Sequence, residues 1–177
     1  GGYNVSIVGS NSYTNAGSVS TLNGVSSGMT QANLVQSDLS FTSGYSPYAL
    51  DFDGTSNYIQ TPYVLPANTT TFSISMWLKT QTFNTTLQGF IGSQDSSSDG
   101  YWLSMRNNNI NFKINGTTIT APTSSLSINS WFHLVVTYDA SSVKIYLNSV
   151  NSITNSLTET INITANTIIG RLPWTPA

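Results

Sequence analysis

From Phe72 onward the chain keeps a two-residue beat. Phe72, Ile74, Met76 and Leu78 fall on one parity, and Ser73, Ser75, Trp77 and Lys79 on the other. Tyr101, Leu103 and Met105 alternate with Trp102, Ser104 and Arg106, and Ile110, Phe112 and Ile114 with Asn111, Lys113 and Asn115. Val143, Ile145 and Leu147 alternate in turn with Lys144, Tyr146 and Asn148. In a β-strand successive side chains point to opposite faces, so this pattern predicts antiparallel strands with one face buried and one solvated. Trp131–Tyr138 begins apolar on both parities, which predicts a central strand covered on both sides, with Trp131 and Phe132 in the core. No 3.6-residue periodicity persists anywhere, so no helix is predicted.

The breaks between these runs carry turn chemistry. Asn115-Gly116 is a two-residue hairpin signal, because both residue types tolerate positive φ. Asn107-Asn108-Asn109 and Asp99-Gly100 are further turn candidates. Turns at roughly 8–12-residue spacing mark an all-β sandwich or barrel. Residues 1–48 are less regular. Val5 and Ile7 predict an edge strand, and Ser10–Ser46 is rich in Gly, Ser and Asn with a few apolar anchors such as Leu22, Leu34 and Phe41.

Composition narrows the function classes. The 177 residues fit one domain, with only 7% charged residues and a net charge of −2, against about a quarter charged in ordinary proteins. No basic patch exists to neutralise phosphates, which argues against a nucleic-acid partner. No apolar run reaches the ~18 residues of a membrane span, so membrane insertion is not expected. There is no cysteine. Asn-x-Ser/Thr sequons start at Asn4, Asn68, Asn84, Asn115 and Asn162. They mean glycosylation only in a secreted chain whose host has that machinery.

The stretch Ala49–Pro62, ALDFDGTSNYIQTP, reads as an alternating strand, a tight Asp53-Gly54 turn and a second short strand. It is followed by TFSISMWLKT (Thr71–Thr80) and, later, by WFHLVVTYDASSVKIYLNS (Trp131–Ser149). These three pieces, in this order, resemble the laminin-G-like, or concanavalin A-like, jelly-roll domain. The resemblance runs from about Tyr3 to Arg171. It implies an all-β, two-sheet antiparallel jelly-roll sandwich, with 1–177 as one domain: 1–48 an N-terminal strand and a long loop packed across the sandwich, 49–171 the core match. Family members usually continue with a further strand pair after the segment similar to Thr167–Arg171, so closing strands are expected from further sequence or a partner.

Catalysis finds little support. Retaining glycoside hydrolysis needs two carboxyls about 5 Å apart, and the single Glu, Glu159, has no carboxylate near it in sequence. Asp51 and Asp53 share a strand face, in a segment the family uses structurally. His133, the only histidine, would need an accessible serine and a carboxylate beside it. Calcium takes six to eight oxygen ligands. The candidate donors are Asp95 and Asp99 on one polar loop and Asp53 and Asn57 on another, since laminin-G-like and pentraxin-like domains often hold calcium at such loops. A solvated Asp/Ser turn explains both loops as well. Sugar sites combine flat aromatic faces with planar hydrogen-bonding groups. Trp77, Trp102 and Tyr146 sit on the polar parity of their strands, opposite the predicted core, and are the ligand-binding candidates, unless the N-terminal loop or a neighbouring domain covers them. Trp174 is expected to anchor the end of the chain against a partner.

The expected function is a non-enzymatic surface module that binds a glycan or cell-surface polysaccharide. It would belong to a larger fibre, adhesin or capsid-decorating protein, extracellular or on a virion surface, as in phage and other viral structural proteins. The alternative is a purely structural domain that packs on neighbouring subunits and binds no glycan.

Overall fold

A computed structural model describes residues 5–7, 12–15, 24–39, 48–83, 87–95 and 99–173. It is a two-sheet antiparallel β-sandwich, with one 3₁₀ turn (Gln31–Asn33) and no α-helix among the described residues. Among the described residues no helix is long and apolar enough to cross a membrane. One sheet has four strands: β7 (Thr71–Lys79), β12 (Trp131–Asp139), β13 (Ser142–Leu147) and β14 (Val150–Ser156), in the order β14-β13-β12-β7. The larger sheet has nine. Its short strands are β1 (Val5–Ile7), β2 (Ser12–Asn15), β3 (Gly24–Ser27), β6 (Tyr58–Gln60) and β15 (Ile168–Ile169). Its longer strands are β8 (Gln88–Gln94), β9 (Gly100–Arg106), β10 (Asn109–Ile114) and β11 (Thr117–Pro122). Their order is β1-β2-β3-β6-β15-β8-β9-β10-β11.

The two-residue beat sorts side chains as the sequence predicts on β10 and β13, whereas on β9 both parities are buried, Trp102 and Ser104 included. Leu103, Ile110, Phe112, Leu134, Val136, Val143 and Ile145 are at most 1% exposed and meet between the sheets. Full burial of a side chain of this size stabilises by about 1.5–3 kcal/mol. The hairpins close where Asn and Gly accept positive φ: Asn107 and Asn108 at 51° and 59° join β9 to β10, and Asn115 and Gly116 at 44° and 92° join β10 to β11.

The Ala49–Gln60 segment departs from its expected form. Its two strands do not face each other. Leu34–Gln36 (β4) pairs with Tyr48–Leu50 (β5) as a separate ribbon, whereas β6 enters the large sheet between β3 and β15. The linking turn is an irregular loop over 51–57, so Asp51 and Asp53 share no strand face. The reason lies in a second apolar cluster. Met29 and Ile59 are buried with Leu50, Phe52 and Ile169 packed on them. Ile59 and Ile169 are cross-strand partners on the inner face of the large sheet, and the β4–β5 ribbon supplies their cover. β12 is interior to its sheet as expected, but its second face (Trp131, His133, Val135 and Thr137) is only half-buried.

An open aromatic face as the candidate functional site

The outward parity of the four-stranded sheet carries a cluster of rings. Antiparallel register sets Trp77 of β7 opposite His133 of β12, and Lys79 opposite Trp131. The Trp77 indole stacks on the His133 imidazole, with ring centres 4.9 Å apart and planes 22° from parallel. Ser75 Oγ lies 2.8 Å from His133 Nε2, and the His133 backbone N–H donates to Asn148 Oδ1 at 2.9 Å. The imidazole is thus held on one side by a ring and at its nitrogen by a hydroxyl. Tyr146, half-buried on β13, shares this face opposite Val135 and Asn151. One interior strand separates it from Trp77, or about 10 Å between strand axes.

A residue from another part of the chain completes the cluster. Asp38, just beyond β4, accepts from Lys79 Nζ at 2.8 Å and from Trp131 Nε1 at 2.5 Å. The Lys79 hydrogen bond, with the Trp131 indole second, holds the Asp38 carboxyl below the ordinary carboxylate range. Trp131 therefore belongs to the outer face and not to the core, where only Phe132 goes (2% exposed). The contiguous Trp-Phe pair concealed this parity, and the deciding partner lies 93 residues away.

Trp102 sits elsewhere. It takes the outward parity of β9 in the large sheet, as expected, but is only 9% exposed. Gly92 is its cross-strand neighbour, and Lys113 Nζ lies 5.8 Å from its ring centre. The structure brings Trp77 and Tyr146 onto one face and leaves Trp102 out of it. Trp174 lies outside the described residues.

His133 does stand beside a serine, yet the pair lacks the rest of an acyl-transfer site. Among the described residues no hydrogen bond joins a carboxylate to the imidazole. The β7 and β12 backbones are paired to each other in a continuous ladder. The Glu159 carboxylate accepts from Asn115 Nδ2 at 3.3 Å, and its backbone N–H and C=O both bond the Tyr138 hydroxyl, at 2.5 and 2.6 Å.

The two loops considered for calcium lie at opposite ends of the large sheet. Asn57 precedes β6 at the level of Phe90, whereas Asp95 follows the far end of β8. At the rise of ~3.3 Å per residue, about 16 Å of strand separates them. Asp53 Oδ1 already accepts the backbone N–H groups of Thr55, Ser56 and Asn57, and Oδ2 the Ser56 hydroxyl. These bonds, the Ser56 hydroxyl foremost, hold its carboxyl far below the ordinary range. Asn57 Oδ1 accepts from Asn33 Nδ2 and Asp53 N, and the side chain is buried. Such a donor set does not fit a cation that needs six to eight free oxygens. Asp95 and Asp99 bring two carboxyls to the β8–β9 turn, and no cluster of three or more His, Cys, Asp or Glu occurs among the described residues.

Comparison with known proteins agrees with this fold. No curated protein sequence matches the chain. Among solved structures, domain 4 of AbnA, an extracellular arabinanase from Geobacillus stearothermophilus in complex with arabinotriose, is 17% identical over 94% of this chain and 85% of its own, with a TM-score of 0.65. A botulinum neurotoxin type C structure, of a toxin whose cell entry depends on two ganglioside molecules, is 17% identical over 93% of this chain, with a TM-score of 0.64. The binding domain of botulinum neurotoxin DC in complex with SialylT is 17% identical over 91%, with a TM-score of 0.61. This chain spans only 42% and 41% of those two toxin chains. At such identity the likeness is one of fold. The Laminin_G_3 family, described as concanavalin A-like lectin/glucanases superfamily, matches residues 53–177, well over half the chain. With the two-sheet jelly roll that surrounds those residues, the chain belongs to the concanavalin A-like lectin/glucanase superfamily.

Proposed function

We propose that this domain is a non-enzymatic carbohydrate-binding module of a secreted or surface protein. The observation that carries the reading is the set of half-buried rings on the outer face of the four-stranded sheet. Trp77, clamped against His133, and Trp131, clamped by Asp38, are held without being buried. A pre-positioned ring loses little entropy on binding, and its flat face suits the C–H face of a sugar. Ser75, Lys79, Asn148 and Asn151 supply polar groups on or beside the same face. The low charge of the chain suits a neutral glycan better than a polyanion. The fold relatives include domains solved with arabinotriose and with SialylT, which supports the ligand class without fixing the sugar. As context we propose a larger fibre, adhesin or capsid-decorating protein.

The test is a glycan array of the domain and its Trp77→Ala variant, in calcium and again in chelator. Binding to a defined sugar class, lost in the variant, supports the module. Loss in chelator alone would bring a metal at the Asp95–Asp99 turn into the site. A blank array with folded protein would refute the reading and favour the structural alternative, a domain that packs on neighbouring subunits.

A further inference from the structure

The apolar interior is divided into two clusters, and the division falls between direct neighbours. Ile91 of β8 and Ile169 of β15 are cross-strand partners on the inner face of the large sheet. Yet Ile91 packs against the main core, and Ile169 against the smaller cluster of Met29 and Ile59. Both are only half-buried. The main core is covered by the four-stranded sheet, which ends at β7, and the smaller cluster by Leu50 and Phe52. Between these two covers the floor formed by β8 and β15 is left partly open.

β7 shows the same gap from its own side. It pairs with β12 along all nine residues, and among the described residues no strand pairs with its second edge. Its inward side chains Met76 and Leu78 are half-buried, whereas their partners on β12, Leu134 and Phe132, are buried. An edge position does not by itself leave inward side chains open. β11 is an edge of the large sheet, yet its Ile119 and Ala121 are buried. Across the gap, the segment after β4 is tied to the Lys79 end of β7 by the Asp38 ion pair at 2.8 Å. No backbone ladder joins the β4–β5 ribbon to β7.

We propose that this seam accepts one added β-strand from a partner polypeptide, laid along the open edge of β7, with apolar side chains at alternate positions resting on Ile91 and Ile169. The backbone decides the class of partner. A row of unpaired N–H and C=O groups is matched by another extended chain, and neither a glycan nor a lipid supplies such a ladder. The floor decides the pattern, since residues two apart on a strand face the same side. Ile91, Ile169, Met76 and Leu78 are all apolar, so a charge on the inward parity is excluded. The direction of this chain after β15 favours a strand from a second chain. Gly89 pairs with Ser104, which shares the outer parity of Trp102, and a Cβ on Gly89 would come within 2.4 Å of the Arg171 carbonyl carbon. The segment after β15 thus crosses to the outer face, away from the seam. The proposal uses no part of the glycan reading, and either stands without the other.

The test uses a fluorescein-labelled peptide with the sequence of residues 71–80, TFSISMWLKT, which has the required alternation. A scrambled peptide of the same composition is the control. Fluorescence anisotropy with the whole domain should show the alternating peptide bound at least about 10-fold more tightly than the scrambled one. On binding, amide hydrogen exchange should slow at alternate residues of β7 between Ser73 and Met76 and stay unchanged on β11. Met76→Lys sets a charge in the seam and should weaken binding by about 10-fold or more, whereas Ser73→Lys, on the outward parity of the same strand, should not. Met76→Ser takes its place if the lysine variant shows no cooperative urea transition. Equal affinity for the two peptides, no binding of either up to about 1 mM, protection on β11 in place of β7, or undiminished binding by the folded Met76 variant would each overturn the assignment.

Discussion

Removing the amide of Asn57 should damage the fold at its least regular joint. Asn57 is 4% exposed. Its Oδ1 accepts from Asn33 Nδ2 at 2.9 Å and from Asp53 N–H at 3.1 Å, and its Nδ2 donates to Gly28 O at 2.6 Å. One side chain thus ties together the end of β3, the 3₁₀ turn before β4 and the loop into β6. Asn57→Ala orphans all three partners. A satisfied hydrogen bond contributes about 1 kcal/mol net, and a stranded buried group costs about 1–3 kcal/mol. The Asp53 loop is exposed and water can re-pair part of it, so the expected loss is about 2–4 kcal/mol. Asn57→Leu restores volume but no hydrogen bond and should lose a similar amount. Asn57→Asp keeps the acceptor yet sets a carboxylate against the Gly28 carbonyl, and should do no better. The assay is urea denaturation followed by intrinsic fluorescence, with an unchanged slope as the sign that all three variants unfold from the same native state. In a double-mutant cycle with Asn33→Ala the coupling should exceed about 0.5 kcal/mol. A loss below about 0.5 kcal/mol in Asn57→Ala would refute the idea that this amide holds the joint.

If the ring-bearing face binds glycan, Trp77→Ala should weaken affinity by about 30-fold, the ~2 kcal/mol of a hot-spot aromatic, read by calorimetry on whichever glycan the array identifies. Asp38→Ala should leave the urea midpoint nearly unchanged, since exposed ion pairs contribute little, yet weaken glycan binding by freeing the Trp131 indole; unaltered affinity would remove Asp38 from the site. Tyr138→Phe removes the hydroxyl that bonds both backbone groups of Glu159 and should cost about 1–3 kcal/mol in the same urea assay. Stability should fall on acidification. Hydrogen bonds from Ser141 first and then Ser142 lower the Asp139 carboxyl from 3.8 to about 2, and Asp53 is lowered further. A carboxyl depressed in the folded state stabilises above its unfolded value and loses that contribution as pH drops through the folded one, so the decline should fall between about pH 4 and pH 2. Asp139→Asn should flatten that decline in pH-dependent melts.

The long strands were legible because each obeys one local rule. Alternation marks Thr71–Lys79, Gly100–Arg106, Asn109–Ile114 and Ser142–Leu147 within a residue or so of their ends, and Asn-Gly chemistry placed the β10–β11 hairpin. β8 did not show, since QGFIGSQ breaks its apolar run with two glycines. The structure explains them. A Cβ at Gly89 would come within 2.4 Å of the Arg171 carbonyl carbon, and one at Gly92 within 2.7 Å of Trp102 Cβ. Gly89 answers to a segment far away in sequence, as does the parity of Trp131, and Gly92 to the facing strand of its own hairpin.

Segment 24–57 links the two levels. A nine-stranded sheet facing a four-stranded one leaves inner surface near Ile59 and Ile169 without cover, and Leu50 and Phe52 provide it. The ribbon that brings them there must start near Asn33, which Asn57 fixes, and run outward along β4. Two residues beyond β4 stands Asp38, at the Lys79–Trp131 end of the ring-bearing face. The element that seals the core thus also delivers the carboxylate that orients Trp131. Loosening the Asn57 joint should therefore reach the ring-bearing face through β4: in Asn57→Ala under native conditions, Trp131 fluorescence should shift toward the Asp38→Ala value. Identical Trp131 emission in parent and Asn57→Ala, with Asp38→Ala shifted, would show that the joint and the clasp are independent.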